Sequence, residues 1–390
     1  MAQSTRRLLL VLSVCLAWAM ISVAPVWKYI SHAKAGAATA LGLLAIAFGM
    51  YRLDRLNRRQ RQIGTGWFVL LFLALTAAFA VLYPISLKHT LNSGSDREDA
   101  LRLELMAIHH HQYPYDARTF QGNPPTPLPG ALLLSVPFFA LGHIAWQNFL
   151  WYALFFIFTM HFFRYRATAL FFLTVFLLLA PANLSDFTSG GDYLTNFFYV
   201  AIASALFTRS LSCSLRDSIF AALFLGITLS SRSIYLTVLI PLFVLTVQRT
   251  TRFRATVLFG TVLATAAVVT LPIFMPYPIA HLLRQLSQNS DKLRYIPGAL
   301  HAQGTLPLLA AIVACLTVNA RMDLPRMFLS FSAASFAAIA PPVAMLAIHR
   351  GKPSYELSYL SVSVLSYSLW ALTRWERLSP TAPQNVDGEL

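Results

Sequence analysis

Apolar segments follow one another along almost the whole chain, most of them near the length needed to cross a membrane. A helix requires about 20 residues to span roughly 30 Å of hydrocarbon. Because lipid offers no hydrogen-bond partner to exposed backbone groups, consecutive segments of this kind predict helices. We therefore expect an all-α fold, a polytopic transmembrane helix bundle of about twelve spans, near residues 8–26, 35–51, 67–85, 146–163, 168–182, 194–209, 217–230, 233–247, 255–273, 305–320, 327–347 and 356–373.

Composition supports a membrane protein and excludes an ordinary soluble one. Hydrophobic residues make up 57% of the chain and charged residues 12%, whereas soluble proteins carry about 25% charged residues. The net charge of +15 could suit nucleic acid, but the cations lie in short clusters between apolar segments, as topology determinants do. We predict an integral membrane protein of the bacterial inner (plasma) membrane, with membrane lipids as partners and no nucleic acid.

The distribution of basic residues predicts an orientation with both termini cytoplasmic. If residues 124–142 enter and leave the membrane on one side, the inner connections carry 18 basic and 6 acidic residues, and the outer connections 12 basic and 9 acidic. This arrangement satisfies the positive-inside rule. Residues 1–377 then form one transmembrane domain that begins with an added hairpin over 1–66. Residues 378–390 form a polar cytoplasmic tail.

The longest interruption of the apolar pattern, residues 86–145, is interpreted as an outer active-site loop. Ser95 followed by Glu98 is a capping box, which predicts a helix from Asp96 towards His109. The apolar residues of this helix share one face, so we expect it to lie on the membrane surface; they are Leu101, Leu105 and Ile108. The proline-rich stretch that follows, 124–142, predicts a broken juxtamembrane or re-entrant helix.

Two acidic residues at the start of this helix are candidates for acid–base chemistry. Asp96 lies at the positive end of the helix dipole, which favours an ionised carboxylate. Glu98 and Arg102, spaced four residues apart, are expected to pair, which leaves Asp96 without a built-in partner. Asp99 lies one turn on and is the alternative. The structural alternative for both is a helix-capping acid on a solvated loop.

The acidic motif, the amphipathic helix and the run YPY…T…GNPPTPLPGALLL…PF..LG together resemble the GT-C superfamily of integral-membrane glycosyltransferases, best over 84–145. The likeness extends weakly into GGDYLTN and SSR and fades after about residue 250. It implies a glycosyltransferase that moves a monosaccharide, with inversion, from a polyprenyl-phosphate carrier to an acceptor glycan, lipid or protein outside the membrane. Two departures are the two spans before the acidic loop and the stretch 109–112, HHHQ, where a glycine is common.

The resemblance assigns roles to the residues that face the outer side. Asp96, or Asp99, would be the general base that takes the proton of the attacking sugar hydroxyl. The carrier phosphate would be bound by cations, namely Arg232, His349, Arg350 and Lys352. The sugars would contact acids beside a glycine turn and aromatic rings of the loop, namely Asp186, Asp192, Tyr113 and Tyr115.

Each of these residues also has a structural interpretation. Arg232 could be a simple outer-turn arginine that reaches water, and the acids at 186 and 192 could be solvated. Tyr113 and Tyr115 fit an interfacial aromatic belt, which is the default. A divalent metal stays open only weakly, at His109 and His111, because neighbouring histidines of a helix point in different directions. No cofactor is assigned.

Two other function classes compete with glycosyl transfer. A multi-span transporter or lipid flippase shares the layout of about twelve spans, yet transporters gather polar groups at the bilayer midplane in internal repeats. Here the acids gather in the outer loops instead. A non-catalytic assembly protein is the third class. The cysteines show no paired or metal-ligand spacing, so we expect them to be inert; they are Cys15, Cys213 and Cys315.

Overall fold

The computed structural model describes residues 3–29, 32–58, 63–88, 96–281, 283–284, 293, 295–351 and 355–379. Within these ranges the chain is helical and contains no β-strand. The all-α prediction is therefore confirmed for the described part of the chain. Ser95 and Lys352, as well as residues 380–390 of the predicted tail, lie outside it.

The helices follow closely the order of the apolar segments. In chain order they are α1 (Gln3–Tyr29), α2 (His32–Arg58), α3 (Thr65–Ser86), α4 (Arg97–His109), α5 (Pro129–Ala140), α6 (Gln147–Phe162), α7 (Arg166–Leu173), α8 (Pro181–Thr188), α9 (Tyr193–Ser210), α10 (Leu215–Leu229), α11 (Leu239–Arg249), α12 (Arg252–Phe274), α13 (Ala302–Thr317), α14 (Leu324–Arg350) and α15 (Ser361–Arg377). A π-helical turn, Thr174–Leu178, continues α7, and a 3-10 helix, Ser233–Val238, precedes α11.

Five helices of the described residues are long and apolar enough to cross a membrane. They lie within α1, α2, α3, α12 and α14. Two bent pairs raise the number to seven if each pair counts as one span. These pairs are Pro129–Ala140 with Ile144–Phe162, bent by 111°, and Arg166–Leu178 with Pro181–Thr188, bent by 73°. The chain thus has the architecture of an integral membrane helix bundle.

The centre of the bundle is built around α9. A helix that is apolar on every side is buried on every side, and the aromatic side chains Phe197, Phe198, Tyr199 and Phe207 of α9 are completely buried. Phe198 stacks on Phe155 of α6 with ring centroids 4.0 Å apart. The N-terminal helix also joins this core, because Trp18 is buried and Ser13 accepts a 2.6 Å hydrogen bond from the hydroxyl of Tyr367 in α15. The predicted N-terminal hairpin thus packs into the bundle.

One end of the bundle, here called the basic end, collects the arginine-rich connections. It comprises residues 3–7, 52–58, 163–168, 209–218, 248–254, 317–326 and 373–379. Hydrogen bonds join these segments: Gln3 Nε2 donates to the carbonyl of Leu378 at 2.7 Å, and the backbone N–H of Tyr165 donates to Glu376 at 3.1 Å. The clusters assigned to one membrane side are therefore neighbours in space.

The opposite end, here called the acid-rich end, comprises residues 83–88, 96–130, 143–148, 186–193, 230–232, 274–281, 283–284, 349–351 and 355–359. Its segments are joined by contacts such as the 3.0 Å hydrogen bond from the N–H of Leu128 to the carbonyl of Ser231. The hydroxyl of Tyr277 also donates to the carbonyl of His111 at 3.2 Å. Segments that are far apart in the chain therefore build one surface here.

The proline-rich stretch forms α5, a helix of 12 residues that reaches about 18 Å at 1.5 Å per residue. It is too short to cross the hydrocarbon layer alone. Gly130 allows α5 to lie close to the end of α10 and the turn that follows. A Cβ on residue 130 would overlap the carbonyl of Ile227 and the side chain of Ser230. The apolar face of α4 packs on α5, since Leu101 and Leu105 cluster with Leu132. The expectation that this face lies on lipid is therefore wrong: it contacts protein.

Candidate functional site

Asp96 is held by neutral groups. It precedes α4, so the helix begins one residue later than predicted, at Arg97. The Asp96 side chain does not cap the helix; its Oδ2 atom accepts hydrogen bonds from Thr119 Oγ1 and Asn123 Nδ2, both at 2.8 Å. Among the described residues, no arginine or lysine lies within ion-pair distance of Asp96. The carboxylate is half-buried, oriented by two donors and not neutralised.

Glu98 is half-buried against α3. The hydroxyl of Tyr83 lies 2.9 Å from both Glu98 oxygens, and the backbone N–H of Ala145 also donates to this carboxylate. Burial raises the pKa of Glu98. The predicted Glu98–Arg102 pair is therefore wrong, because Glu98 faces the bundle and Arg102 is 58% exposed.

Asp99 has partners of both kinds. Arg102 lies 3.6 Å from its Oδ1 atom, and the backbone N–H of Phe120 donates to its Oδ2 atom at 3.0 Å. The charge of Asp99 is thus compensated by a cation, whereas Asp96 is held by neutral donors alone.

Arg97 and Asp186 form a buried ion pair that the sequence did not suggest. The guanidinium of Arg97 donates to Asp186 and lies 4.9 Å from the ring of Tyr193 and 5.4 Å from that of Tyr359. The backbone N–H of Leu194 donates to the second Asp186 oxygen at 2.9 Å. Asp186 lies in α8 and is 5% exposed. A solvated acid on an outer loop is thus excluded at this position.

Asp192 and Arg232 form a second buried pair. Nη2 of Arg232 lies 2.8 and 2.7 Å from the two Asp192 oxygens, and Nη1 donates to Thr126 at 3.3 Å. Asn196 donates to Asp192 as well, at 2.9 Å. The Asp192 side chain is only 1% exposed. The interpretation of Arg232 as a simple outer-turn arginine that reaches water is wrong, because its side chain is 14% exposed and paired with Asp192. Its predicted contact with a lipid phosphate stays a prediction.

Glu104 is a completely buried acid on α4. Neither of its carboxyl oxygens has a hydrogen-bond donor among the described residues. Burial, and next the charge of Asp192, raise its pKa well above the ordinary value, while Arg232 acts in the opposite direction. Burial therefore favours the neutral, protonated form of Glu104 near the Asp192–Arg232 pair. The sequence carried a signal for it, because Glu104 occupies the i+3 position of the apolar stripe that begins at Leu101.

An aromatic cluster joins the loop after α4 to the end of α12. Tyr115 and Phe274 stack with their ring planes 2° apart, and the ring centroid of Tyr113 lies 4.9 Å from that of Tyr277 and 4.8 Å from that of His281. A pocket of about 170 Å³ adjoins the cluster. Tyr113 and Tyr115 are 6% and 1% exposed. They are part of the protein core rather than an interfacial belt.

The ionisable groups around this cluster are coupled. Asp116 lies 3.4 Å from His281 Nδ1 and 3.1 Å from Arg284. Burial, and next the charge of Asp116, raise the pKa of Tyr113 to about 12. The Tyr113 hydroxyl therefore stays protonated at neutral pH and can serve as a hydrogen-bond donor.

The second predicted cationic cluster lies apart from Arg232. Arg350 pairs with Glu356 at 3.1 Å, and the ring of His349 lies 4.4 Å from that of Tyr295. Within the described residues, neither His349 nor Arg350 forms a hydrogen bond or ion pair with Arg232. Lys352, the third predicted member, lies outside the described residues.

The histidines after α4 do not converge. The rings of His109 and His110 lie 5.3 Å apart, and His111 adopts a left-handed conformation with φ of 57°. In the part of the chain that the structure describes, no group of three histidine, cysteine, aspartate or glutamate side chains could hold a metal ion. The three cysteines are free thiols.

Comparison with known proteins adds no constraint on the activity of this site. Neither a family model nor a curated protein nor a solved structure matches the chain significantly.

Proposed function

We propose that the chain is a GT-C-type membrane glycosyltransferase that transfers a monosaccharide from a polyprenyl phosphate to an acceptor outside the membrane. The observation that carries the proposal is the environment of Asp96. Five other acids of the acid-rich end each have an arginine within 4 Å, namely Asp99, Asp116, Asp186, Asp192 and Glu356. Asp96 has two neutral donors instead, and its second oxygen is left for the proton of an acceptor hydroxyl. Glu98 and Glu104 also lack an arginine partner, but Glu98 faces Tyr83 of α3 and Glu104 is completely buried.

The proposed reaction is one direct displacement. The acceptor hydroxyl attacks the anomeric carbon while the bond from that carbon to the phosphate oxygen breaks. Asp96 takes the hydroxyl proton, and the polyprenyl phosphate leaves with the bonding electron pair. A single displacement inverts the anomeric configuration and needs no protein nucleophile. Thr119 and Asn123 hold one Asp96 oxygen and so aim the other, Oδ1, which accepts no hydrogen bond from the described residues.

The phosphate of the carrier requires a cation that is exposed, as Arg102 and Arg350 are and Arg232, at 14%, is not. Arg232 serves its partner Asp192, so we assign this pair to the framework of the site. Arg102, which is 58% exposed and 3.6 Å from Asp99, becomes a candidate in its place. His349, Arg350 and Lys352 keep the role that the resemblance implies. A guanidinium suits a leaving phosphate because its planar fork can hold two oxygens.

The activity test uses purified protein in liposomes with a defined polyprenyl-phosphate sugar, labelled in the sugar. We expect Asp96→Asn to lower the rate at which label leaves the carrier by about 10²- to 10⁴-fold, the usual contribution of general-base catalysis. Asp217→Asn is the matched control, because Asp217 is an exposed acid at the basic end. Its rate should equal that of the wild type. Full activity in Asp96→Asn, or transfer from a nucleotide sugar without lipid, contradicts the proposal.

The proposed orientation places the basic end in the cytoplasm and the acid-rich end outside, with about twelve segments in the membrane. On a background without native cysteines, single cysteines at the exposed positions Gln112 and Arg118 should react with an impermeant reagent added to intact cells. Cysteines at Arg55 and Arg252, which are exposed at the basic end, should react only after permeabilisation. Labelling of both pairs from one side would overturn the orientation.

A proton-coupled transporter is the second candidate, and Glu104 is the observation that favours it. A buried acid that can take up a proton beside an ion pair is typical of proton relays. In liposomes with a pH gradient, a transporter would carry its substrate across the membrane more slowly in Glu104→Gln and at the wild-type rate in Asp96→Asn. A glycosyltransferase would show the reverse ranking for sugar transfer.

A further inference from the structure

A cavity of about 230 Å³ opens at the basic end, far from Asp96. It lies between the connection from α13 to α14 and the last turns of α15. Its lining combines three arginines with one acid, namely Arg326, Arg374, Arg377 and Asp323. Hydroxyl, amide and apolar groups complete the wall, among them Thr317, Asn319, Thr373, Leu329 and Trp370.

The charges around this cavity do not balance. Arg377 lies 3.0 Å from Asp323, and Arg326 donates to the backbone carbonyl of Arg321. Arg374 is half-buried and has no carboxylate within 4 Å in the described part of the chain. Three cations and one anion leave an excess of two positive charges on one small cavity. Guanidinium groups so close together repel each other unless an anion lies between them.

The start of α14 borders the cavity but is already capped. Asp323 is its N-cap residue and accepts from the N–H of Arg326 at 2.9 Å, and Pro325 in the first turn has no N–H to offer. The attraction for an anion therefore comes from the arginine side chains. The cavity is also large enough for more than a water or a halide, because a water occupies about 30 Å³ in the liquid.

Topology alone explains the presence of arginines at this end but not their convergence. The positive-inside rule requires cations somewhere in each connection, and Arg55 and Arg252 satisfy it as exposed side chains that line no part of this cavity. Arg326, Arg374 and Arg377 come from two helices and face one space. A shared ligand gives a physical reason for this arrangement.

We propose that the cavity bounded by Arg326, Arg374 and Arg377 binds a phosphate group, carried either by an anionic lipid headgroup or by a small soluble phosphate. Phosphate accepts paired hydrogen bonds from guanidinium groups. As a lipid diester it compensates about one of the two excess charges, and as a free or monoester phosphate about 1.5 to 2. This site is separate from the proposed catalytic site and does not depend on it.

The test uses the full chain, purified in neutral detergent and stripped of lipid. In the first arm, inorganic phosphate is titrated by calorimetry. In the second arm, the protein is mixed with phosphatidylglycerol or with phosphatidylcholine, and the bound lipids are counted by native mass spectrometry. Binding of inorganic phosphate supports a soluble ligand, and retention of phosphatidylglycerol alone supports a lipid headgroup.

We expect Arg374→Gln to weaken the binding detected in either arm by tenfold or more. Arg252→Gln removes the same charge from the same end without touching the cavity and should bind as the wild type does. If Arg374→Gln does not fold, Arg377→Gln replaces it, since Arg377 is 46% exposed. Absence of binding in both arms, or an equal loss in Arg252→Gln, overturns the proposal.

Discussion

The two ends of the bundle use arginine in opposite ways. At the acid-rich end, Arg97 and Arg232 are 17% and 14% exposed and each contacts an acid from a distant segment. At the basic end, Arg377 is 46% exposed where it meets Asp323, and Arg374 has no carboxylate partner among the described residues. The same side chain is thus a structural tie at one end and an uncompensated cation at the other.

This difference follows from desolvation. A charge that leaves water requires a partner with good geometry, since its solvation is otherwise lost. A charge at the surface keeps water and is free to interact with membrane lipids or soluble anions. The pairs of the acid-rich end connect α4, α8, α9 and the turn after α10, so they hold the framework beneath Asp96. The arginines around the cavity of the basic end outnumber its one acid, so part of their charge is available to a ligand.

The largest expected effect comes from breaking a buried pair. Arg232→Gln or Asp192→Asn should destabilise the protein by about 3–5 kcal/mol, because the remaining charge is buried without compensation. The double variant should recover a large part of this loss, since both charges are then absent. Thermal unfolding in detergent measures all three variants. If the loss of stability in the double variant equalled the sum of the two single losses, the two residues would not depend on each other.

A smaller loss of stability is expected at Gly190, whose left-handed backbone conformation belongs to the same framework. Gly190 has φ of +70°, and a Cβ there would overlap the carboxylate of Glu98. Gly190→Ala should cost about 1–3 kcal/mol from the left-handed conformation alone, plus the cost of displacing Glu98. Gly122→Ala is the matched control, because Gly122 has φ of +78° with nothing within 4 Å. Equal losses of unfolding temperature would remove the Glu98 contact from the explanation.

Glu104 makes the stability of the folded protein depend on pH. Folding raises its pKa above the ordinary 4.5, so in the pH range above that value the folded protein binds a proton that the unfolded chain has released. Stability therefore falls as the pH rises from about 4.5 towards the raised pKa. Glu104→Gln should remove this loss and be more stable than the wild type at high pH.

The measurement compares unfolding temperatures of the wild type and Glu104→Gln at pH 5 and pH 8. The advantage of the variant should be small at the lower pH and larger at the higher one. A variant that is less stable than the wild type at pH 8 would mean that the buried carboxylate is ionised and useful to the fold.

The smallest effect is expected at the basic end. Arg377→Gln removes a partly exposed pair with Asp323, and such pairs contribute about 0–1 kcal/mol. The unfolding temperature should therefore change little, and added salt should reduce the difference further. If the unfolding temperature of Arg377→Gln fell as far as that of Arg232→Gln, the proposed difference between the two ends would be wrong.

The start of α4 shows where sequence reasoning succeeded and where it did not. The capping-box pattern of Ser95 and Glu98 and the apolar stripe predicted this helix to within one residue of its start, because such patterns are local. The N-cap residue is Asp96, however, and Glu98 contacts Tyr83. The predicted Glu98–Arg102 pair was wrong, because Glu98 has a better environment next to Tyr83 on another helix. Asp96 was singled out for lacking a partner, and the structure adds the neutral donors Thr119 and Asn123.

Arg232 also shows that the sequence cannot identify a distant partner. Its position between two apolar runs signalled that it needs a partner, yet the sequence could not identify Asp192, which is 40 residues away. Arg97 and Asp186, separated by 89 residues, gave no sign of a pair. For Glu104, only the packing of α4 on α5 shows that the carboxyl group is buried.

The sequence by itself determined that this is an all-helical membrane protein and where most of its helices lie. Hydropathy, charge clusters and capping residues act within a few turns of the chain, so they can be recognised without the fold. Only the tertiary structure decided which charges are compensated and which stay available. Ion pairing and burial depend on segments that meet across the bundle, and desolvation makes that meeting decisive for the free energy of every charged side chain.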